Sequence, residues 1–541
     1  MPSTVDIIAS RLYEAGCRHA FGIPGGEVLA MMKALEDAGI AFTLTKHENG
    51  AGFMAEGAYH ATGAPGILLA TIGPGLANAV NVIANAEQDR VPLIVLTGCV
   101  DAEEALTYTH QVMDHGALME TVTKASFTAV ENATDVVIEK ALAIATEGRP
   151  GPVHIDIPIS LATRDHADGR SQRRKPLSPA GPAEGPALER ARAMFRASRR
   201  PVMVAGLDVV CEEGAAQALR DFVETHRIPL LTTYKGKGIL PEDHELSLGG
   251  HGLSPVSDAL VMPFVAQADL VIAAGYDPIE MRTGWRNPWD PAKAIEFASA
   301  PNRHDMHHAD ISFTCSIRAG LSALAVGDAN TAANGARSIW PGGEADVLRI
   351  ALKSKFSAGK AWGPALAIDA IRRAAPRDSV ITADSGAHRI LLSQMWECYE
   401  PRAMLQSCGF CTMGCALPLA IGYKLASASR PVIAFMGDAG LEMTMGELAT
   451  LRDLGLSVLV VVFVDHSLAL IELKQRQSGM KNLGVDFGGT DFPALAEAMG
   501  GTGRVAKSVE AVESETAGAF ARDGFTLLAI PIDAKSYDGK F

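Results

Sequence analysis

Two carboxylates raise the first chemical question. The apolar run PVIAFM ends in Gly437-Asp438-Ala439-Gly440, and the apolar run SVLVVVFV ends at Asp465, 27 residues beyond Asp438. Each acid stands where a buried strand would stop, and the spacing predicts a helix over about Leu441 to Leu454 between them. A right-handed crossover between parallel strands leaves both strand ends on one edge of the sheet, so the two acids become neighbours. Hard oxygen ligands beside a helix N-terminus suit Mg2+ bridging to a diphosphate, with helix amides stabilising the anion. An N-capping Asp followed by an unrelated loop Asp fits the same letters, and spacing alone leaves both readings open.

Other candidates carry less chemistry. Cys408, Cys411 and Cys415 in SCGFCTMGC are spaced like metal ligands. They lack an evident fourth ligand, and small residues in a tight Gly-rich loop account for the same pattern. HDMHH at 304–308 reads as a surface histidine cluster.

Acids at strand ends need a framework of parallel strands. GILLATIG, PLIVLTG and VHIDIPI are short apolar runs separated by helical spacing, and the pattern repeats in PVMVAG, IPLLTTY and DLVIAAG. It returns in SVITADSG, PVIAFMGD and SVLVVVFVD. Buried parallel strands read this way. The polar, Pro/Gly-rich stretch Thr163 to Ala187 and the stretch that opens with Pro341-Gly342-Gly343 read as linkers. The expectation is an α/β protein of three successive doubly wound parallel-sheet domains, at 1–165, 188–340 and 360–541, with ligands outside the carboxyl ends of the strands.

Composition narrows the class. A chain of 541 residues exceeds one compact core. A net charge of −14 without a dense Lys/Arg tract excludes a nucleic-acid partner. The longest apolar runs, such as Val458 to Val464, are strand-sized, which excludes a membrane span. MPSTVDIIASRLYEAG carries Asp, Arg and Glu where a signal peptide needs an apolar core, so a cytoplasmic enzyme is expected. Eight cysteines in this length do not read as a disulfide framework.

These features converge in a resemblance. Gly-Asp-Ala-Gly with a second strand-end ligand at this distance is similar to the diphosphate-anchoring motif of thiamine-diphosphate enzymes. HAFGIPGG, KHENGAGFMAEGAYHATG, GPGLANAV, DRVPLIVLTG, GPVHIDIP, GKGILPEDHELSLG and GFCTMGCALPLAIG follow in that family's order over nearly the whole chain. The chain resembles the acetolactate synthase, pyruvate oxidase and benzoylformate decarboxylase group. The resemblance implies a pyrimidine-binding first domain, a central domain and a diphosphate-binding third domain. It also implies thiamine diphosphate with Mg2+ as cofactors, and a homodimer or homotetramer with the active site between subunits.

Residue roles carry over by position. Glu48 corresponds to the glutamate that, held against the cofactor's pyrimidine N1′, promotes proton loss at thiazolium C2. Met413, next to Thr412, corresponds to the residue that props the cofactor into its bent shape. Asp384, Ser385, Gly386, Ala387 and His388 correspond to a loop approaching the diphosphate, opposite Gly437, Asp438, Ala439 and Gly440. Asp438, Asp465 and the Ser467 carbonyl are the implied metal ligands.

The chain also departs from the pattern. Asp465 stands where the family has Asn, which preserves an oxygen ligand. His110-Gln111-Val112 replaces Phe-Gln-Glu, so Gln111 is retained while His110 brings an imidazole toward the reacting centre, with His115 a second candidate. Tyr276-Asp277 replaces Ala-Arg in the central domain, removing a cation and adding an anion, which leaves FAD doubtful. Arg282 is within a residue of a substrate-carboxylate arginine. Leu470, Ile471 and Lys474 take the places of two apolar residues and a Trp lining the substrate channel, and the Lys would favour a substrate with a distal anionic group.

The implied function is a 2-oxo acid decarboxylase or carboligase. The alternatives are a flavin- or nicotinamide-dependent oxidoreductase on the same domains, or a non-catalytic homologue. The first would need GxGxxG between strand and helix, and GIPGG lacks that spacing. The second is hard to reconcile with Glu48, Asp438 and Met413 together.

Overall fold

Every expected apolar run is a strand, and every strand pairs in parallel within one of three six-stranded sheets. The computed structural model describes residues 1–165, 178–279, 281–327 and 339–541. The N-terminal sheet holds β1 His19–Ile23, β2 Ala41–Leu44, β3 Gly66–Ala70, β4 Leu93–Cys99, β5 Ala125–Thr128 and β6 Val153–Pro158, in the order 2-1-3-4-6-5. The central sheet holds β7 Pro201–Ala205, β8 Leu230–Thr233, β9 Ser247–His251, β10 Leu270–Ala274, β11 Ala294–Ala298 and β12 Ile311–Thr314. The C-terminal sheet holds β13 Val380–Ala383, β14 Met404–Gln406, β15 Val432–Gly437, β16 Leu459–Val464, β17 Thr502–Val505 and β18 Thr526–Pro531.

Counted within each sheet, the C-terminal strand order is again 2-1-3-4-6-5, whereas the central order is 3-2-1-4-5-6. The latter is the arrangement of dinucleotide-binding sheets. Helices cover both faces, as uninterrupted apolar strands require. The N-terminal and C-terminal sheets share one core through the helices Glu48–Thr62 and Ala416–Ala426. They meet backbone to backbone: a Cβ on Gly57 would lie 2.2 Å from the Leu419 carbonyl, and one on Gly422 1.9 Å from that of Met54.

Three expectations are corrected. The predicted helix at 441–454 is two helices, Asp438–Thr444 and Glu447–Asp453, parted at Met445-Gly446. Gly446 is a poor helix former, and the first helix starts at the acid itself. The stretch after Pro341 is not linker throughout, because Glu344–Lys355 is a helix whose Leu348 and Leu352 are buried with Val261, Phe264 and Trp340 of the central unit. The i,i+4 leucines carried that signal. HDMHH is not wholly superficial: His307 is buried and pairs with Glu296 at 2.8 Å. Of the first expected linker, residues 166–177 lie outside the described residues.

Candidate active site

The crossover from β15 to β16 brings the two acids together. Asp438 opens its helix at the end of β15, and its Oδ2 accepts the amides of Asp465 at 3.0 Å and His466 at 2.7 Å. Asp465 Oδ1 in turn accepts the Ser467 amide at 3.1 Å, and the Ser467 hydroxyl donates to Asp486 at 2.8 Å. Burial, then the charge of Asp438, push the Asp465 carboxyl up to about 7. Burial also raises Asp438. Two facing carboxylates in a half-dry site hold a proton unless a cation neutralises them.

A cavity of about 220 Å3 opens beside these acids. Its walls include Ser385, Gly386, Ala387 and His388 on one side and Gly437 to Gly440 on the other, with Met413 at its edge. The helix Ala387–Met395 begins here, with Gly386 as its N-cap. The Ser385 hydroxyl and His388 Nε2 have no partner among the described residues. Burial, then the charge of Arg389, hold the His388 imidazole down at about 3, so it is neutral. Asp384 sits behind the wall: its Oδ1 accepts the Cys415 amide at 2.9 Å, and a Cβ on Gly440 would lie 2.0 Å from its Oδ2. Burial pushes this acid up to about 6.

Arg282, Leu470 and Ile471 line the same cavity, but Lys474 is exposed and has no part in the lining. The helix Ala469–Gln477 turns Lys474 toward solvent, the snorkelling common for lysine on a surface helix. Thr412 is half-buried just outside, donating to Asn81 of the N-terminal unit at 3.0 Å. Arg389 lines the cavity and went unnoticed in the sequence; its guanidinium donates to the Ser407 carbonyl and to Cys411 Sγ. A charged residue immediately after Asp384–His388, followed by the apolar run Ile390-Leu391-Leu392, was the available signal. The cysteine triplet is no metal site among the described residues: Cys408 and Cys415 donate to backbone carbonyls, and Cys411 is exposed.

Glu48 lies elsewhere in the chain. It is the first residue of the helix Glu48–Thr62, is 5% exposed, accepts from Asn78 Nδ2 at 3.0 Å, and does not line the cavity. His110 and Gln111 are exposed on the loop after β4, and Gln111 has a left-handed φ of 59°. That loop packs on the Gly73 turn, where a Cβ would lie 2.6 Å from the Gln111 carbonyl.

His115 has a different place from the one its sequence position suggested. It is buried, accepts the Gly73 amide on Nε2 at 3.0 Å and faces Asp156 through Nδ1 at 2.7 Å. With His154 and Asp156 it forms the one group of three or more His, Cys, Asp or Glu side chains close enough to share a metal among the described residues. The Gly73 amide needs the Nε2 lone pair, so Nδ1 carries the proton and points it at Asp156. That tautomer cannot ligate a metal from Nδ1, and the cluster is a closed hydrogen-bond network with Thr97 and Ser126.

In the central unit, Tyr276 is buried against Trp289 and His307. Asp277 is gripped by Arg90 at 3.1 Å and Arg149 at 3.5 Å, both from the N-terminal unit.

Comparison with known proteins identifies what this framework is. Residues 2–118 match the thiamine pyrophosphate enzyme N-terminal TPP binding domain, residues 188–324 the central domain, and residues 384–530 the C-terminal TPP binding domain. The acetolactate synthase large subunit of Lactococcus lactis is 31% identical over 518 residues, 91% of this chain and 86% of that protein. The chain belongs to the thiamine pyrophosphate enzymes. Acetolactate synthase isozyme 1 large subunit of Escherichia coli is 31% identical over 87% of this chain and 83% of its own length. Acetolactate synthase of Bacillus subtilis is 28% identical over 98% and 93%.

As a thiamine pyrophosphate enzyme, the protein is of the lyase or transferase type. Among the described residues no helix is long and apolar enough to cross a membrane. The cavity suits the diphosphate end of that cofactor with a divalent cation. It offers a mutually repelling carboxylate pair, a glycine-lined floor, and the Ser385 hydroxyl and His388 Nε2, which have no partner among the described residues.

Proposed function

We propose that this enzyme cleaves the bond beside the carbonyl of a 2-oxo acid and joins the retained fragment to a second carbonyl compound. The observation that carries the reading is the pair Asp438 and Asp465 at the mouth of a cavity whose Ser385 and His388 have polar atoms without partners among the described residues. Thiamine diphosphate, when bound, supplies the electron sink for that cleavage. Asp438, Asp465 and the Ser467 carbonyl would hold Mg2+, whose octahedral oxygen shell they suit. Asp384 to His388, Thr412, Met413 and Gly437 to Gly440 would surround the cofactor. Arg282 would meet the substrate carboxylate, with Leu470 and Ile471 as apolar wall. With Lys474 outside the lining, a second anionic group on the substrate is not part of the proposal.

Glu48 is assigned the proton exchange with the cofactor's pyrimidine, and Gln111 and His110 the neighbourhood of the reacting carbonyl. Because Glu48 does not line this chain's own cavity, the proposal includes a homodimer or a dimer of dimers in which Glu48 of one protomer serves its partner's cavity. No flavin is assigned, since Tyr276-Asp277 offers no arginine at this turn, Tyr276 is packed in the core and Asp277 is already held by Arg90 and Arg149.

The test is a panel of 2-oxo acids scored for CO2 release and for ligated product, with and without thiamine diphosphate and Mg2+. Cofactor-independent turnover, or aldehyde as the sole product, would overturn the carboligase reading. Visible absorption of freshly purified, active protein should show no stoichiometric flavin.

A further inference from the structure

The helix that begins with Glu48 is capped by a residue from the other end of the chain. Its N-cap is His47, whose Nδ1 accepts the Asn49 amide at 3.1 Å. In a capping box, the third helical residue would supply a carboxylate reaching back to the amide at the N-cap. Here that residue is Gly50, which has no side chain. Glu447, at the start of the helix Glu447–Asp453, fills the gap. Its Oε1 accepts the Lys46 amide at 3.0 Å, the His47 amide also bonds to this carboxylate, and a Cβ on Gly50 would lie 2.6 Å from Oε1. The other oxygen accepts the Thr450 hydroxyl at 2.7 Å. Glu447 is 2% exposed, and an acid is not buried this deeply without partners that need it.

We infer that Glu447 is a positioning residue, a capping-box carboxylate supplied across domains that sets the backbone of Lys46 and His47 and thereby the placement of Glu48. The inference rests on the catalytic reading of Glu48. A carboxylate anchored in the unit that carries Asp438 ties the start of the Glu48 helix to the cofactor-binding half of the fold. Helix-capping at this end also keeps the first turn from fraying, which would swing Glu48.

The experiment moves the carboxylate between the two positions in the full-length holoenzyme. Glu447→Ala should lower kcat about 10- to 100-fold, the scale of a misplaced catalytic group, while KM and thiamine diphosphate affinity change less than about threefold. Hydrogen exchange should show faster amides confined to the peptide spanning 46–50. Glu447→Ala combined with Gly50→Glu places the acid at its capping-box position in the space just vacated, and should recover kcat about tenfold or more together with the lost protection. An unchanged kcat and unchanged protection in Glu447→Ala would overturn the inference. So would a loss spread through KM, cofactor affinity and melting temperature that the double variant does not recover. Glu48→Gln runs alongside: if it keeps wild-type kcat, the catalytic reading fails, whereas hydrogen exchange at 46–50 still decides the cap.

Discussion

The N-terminal and C-terminal sheets have one strand order and opposite chemistry at their strand ends. In the C-terminal sheet, the ends of β13, β15 and β16 present Ser385 and His388 with polar atoms that have no partner among the described residues, and an acid pair at odds with itself. In the N-terminal sheet, the turns after β1 and β3 and the neighbouring end of β6 are bonded to the chain's own side chains. Glu27 accepts from the Thr71 hydroxyl and the Ile72 amide, His115 accepts from Gly73, and Asp156 is held by His115 and Thr97. Shared topology therefore says where a ligand could lie, and unsatisfied polar groups say where one is needed. The proposed function assigns the first half the diphosphate and its cation, and the second half Glu48.

The largest effect should separate these jobs. Glu48→Gln should lower kcat about 10²- to 10⁴-fold, the range for losing a positioned acid–base group, while cofactor affinity stays within a few-fold of wild type. Single-turnover rates and titration calorimetry on the same preparation check both halves. Equal loss of affinity and rate would erase the division of labour.

Next comes the cofactor side. Asp438→Ala should weaken Mg2+-dependent binding of thiamine diphosphate by about 3–5 kcal/mol, because the other acid and the diphosphate lose the cation's anchor. Ile72→Ala, at the matching strand end of the N-terminal sheet, should leave that affinity unchanged. Comparable losses in calorimetry would mean that Asp438 serves only to cap its helix.

Legibility followed the range of the interactions involved. Asp438 beside Asp465 could be read because a strand-helix-strand unit obeys a handedness rule that spans only those 27 residues. The inner strands of the three sheets were equally readable as continuous buried apolar runs, whereas edge strands such as Ala41–Leu44, Ala125–Thr128, Ile311–Thr314 and Thr502–Val505 are short and partly exposed and carry no such signal. Glu447 beside Lys46 was not readable, for the two lie 401 residues apart and no periodicity links them. The same holds for Asp277, whose Arg90 and Arg149 partners come from another unit. His115 was misplaced because its spacing from His110 on an irregular loop says nothing of which way each ring points.

The N-terminal half gives a smaller, structural effect. His115→Phe leaves the Gly73 amide without its acceptor and Asp156 Oδ1 with one donor fewer, Thr97 remaining, and should cost about 1–3 kcal/mol of stability, read as a lowered unfolding midpoint. Zn2+ should not restore wild-type protein further. A large metal-dependent rise in Tm would show that the network is a metal centre after all.

The smallest effect sets two raised acids against each other. Glu56 lies on the same helix as Glu48 but is buried at its middle, accepting from Asn85 Nδ2 at 3.0 Å. Burial, then the charge of Asp89, push its carboxyl up to about 8, and burial keeps the adjacent His60 neutral. The folded chain therefore holds a proton that the unfolded chain releases at its ordinary carboxylate value. A native state binding the extra proton loses stability as pH rises, here from about 4.5 toward 8, and the loss is complete above the folded value. Glu56→Gln keeps the shape and the Asn85 contact while removing the titration. It should gain on the order of 1 kcal/mol, roughly 2–4 °C in Tm, at pH 8 and little at pH 5. Mg2+ should leave this difference untouched, because Glu56 already has its donor and the neighbouring acid, Asp89, is paired with Lys235. Asp465 stands beside Asp438 in the cavity, so adding Mg2+ to the cofactor-free enzyme should stabilise it most above pH 7, where that acid is otherwise charged beside Asp438. Parallel melts of wild type and Glu56→Gln with and without Mg2+ resolve the two contributions, and a Mg2+ effect that vanishes in Glu56→Gln would place the cation in the wrong half of the molecule.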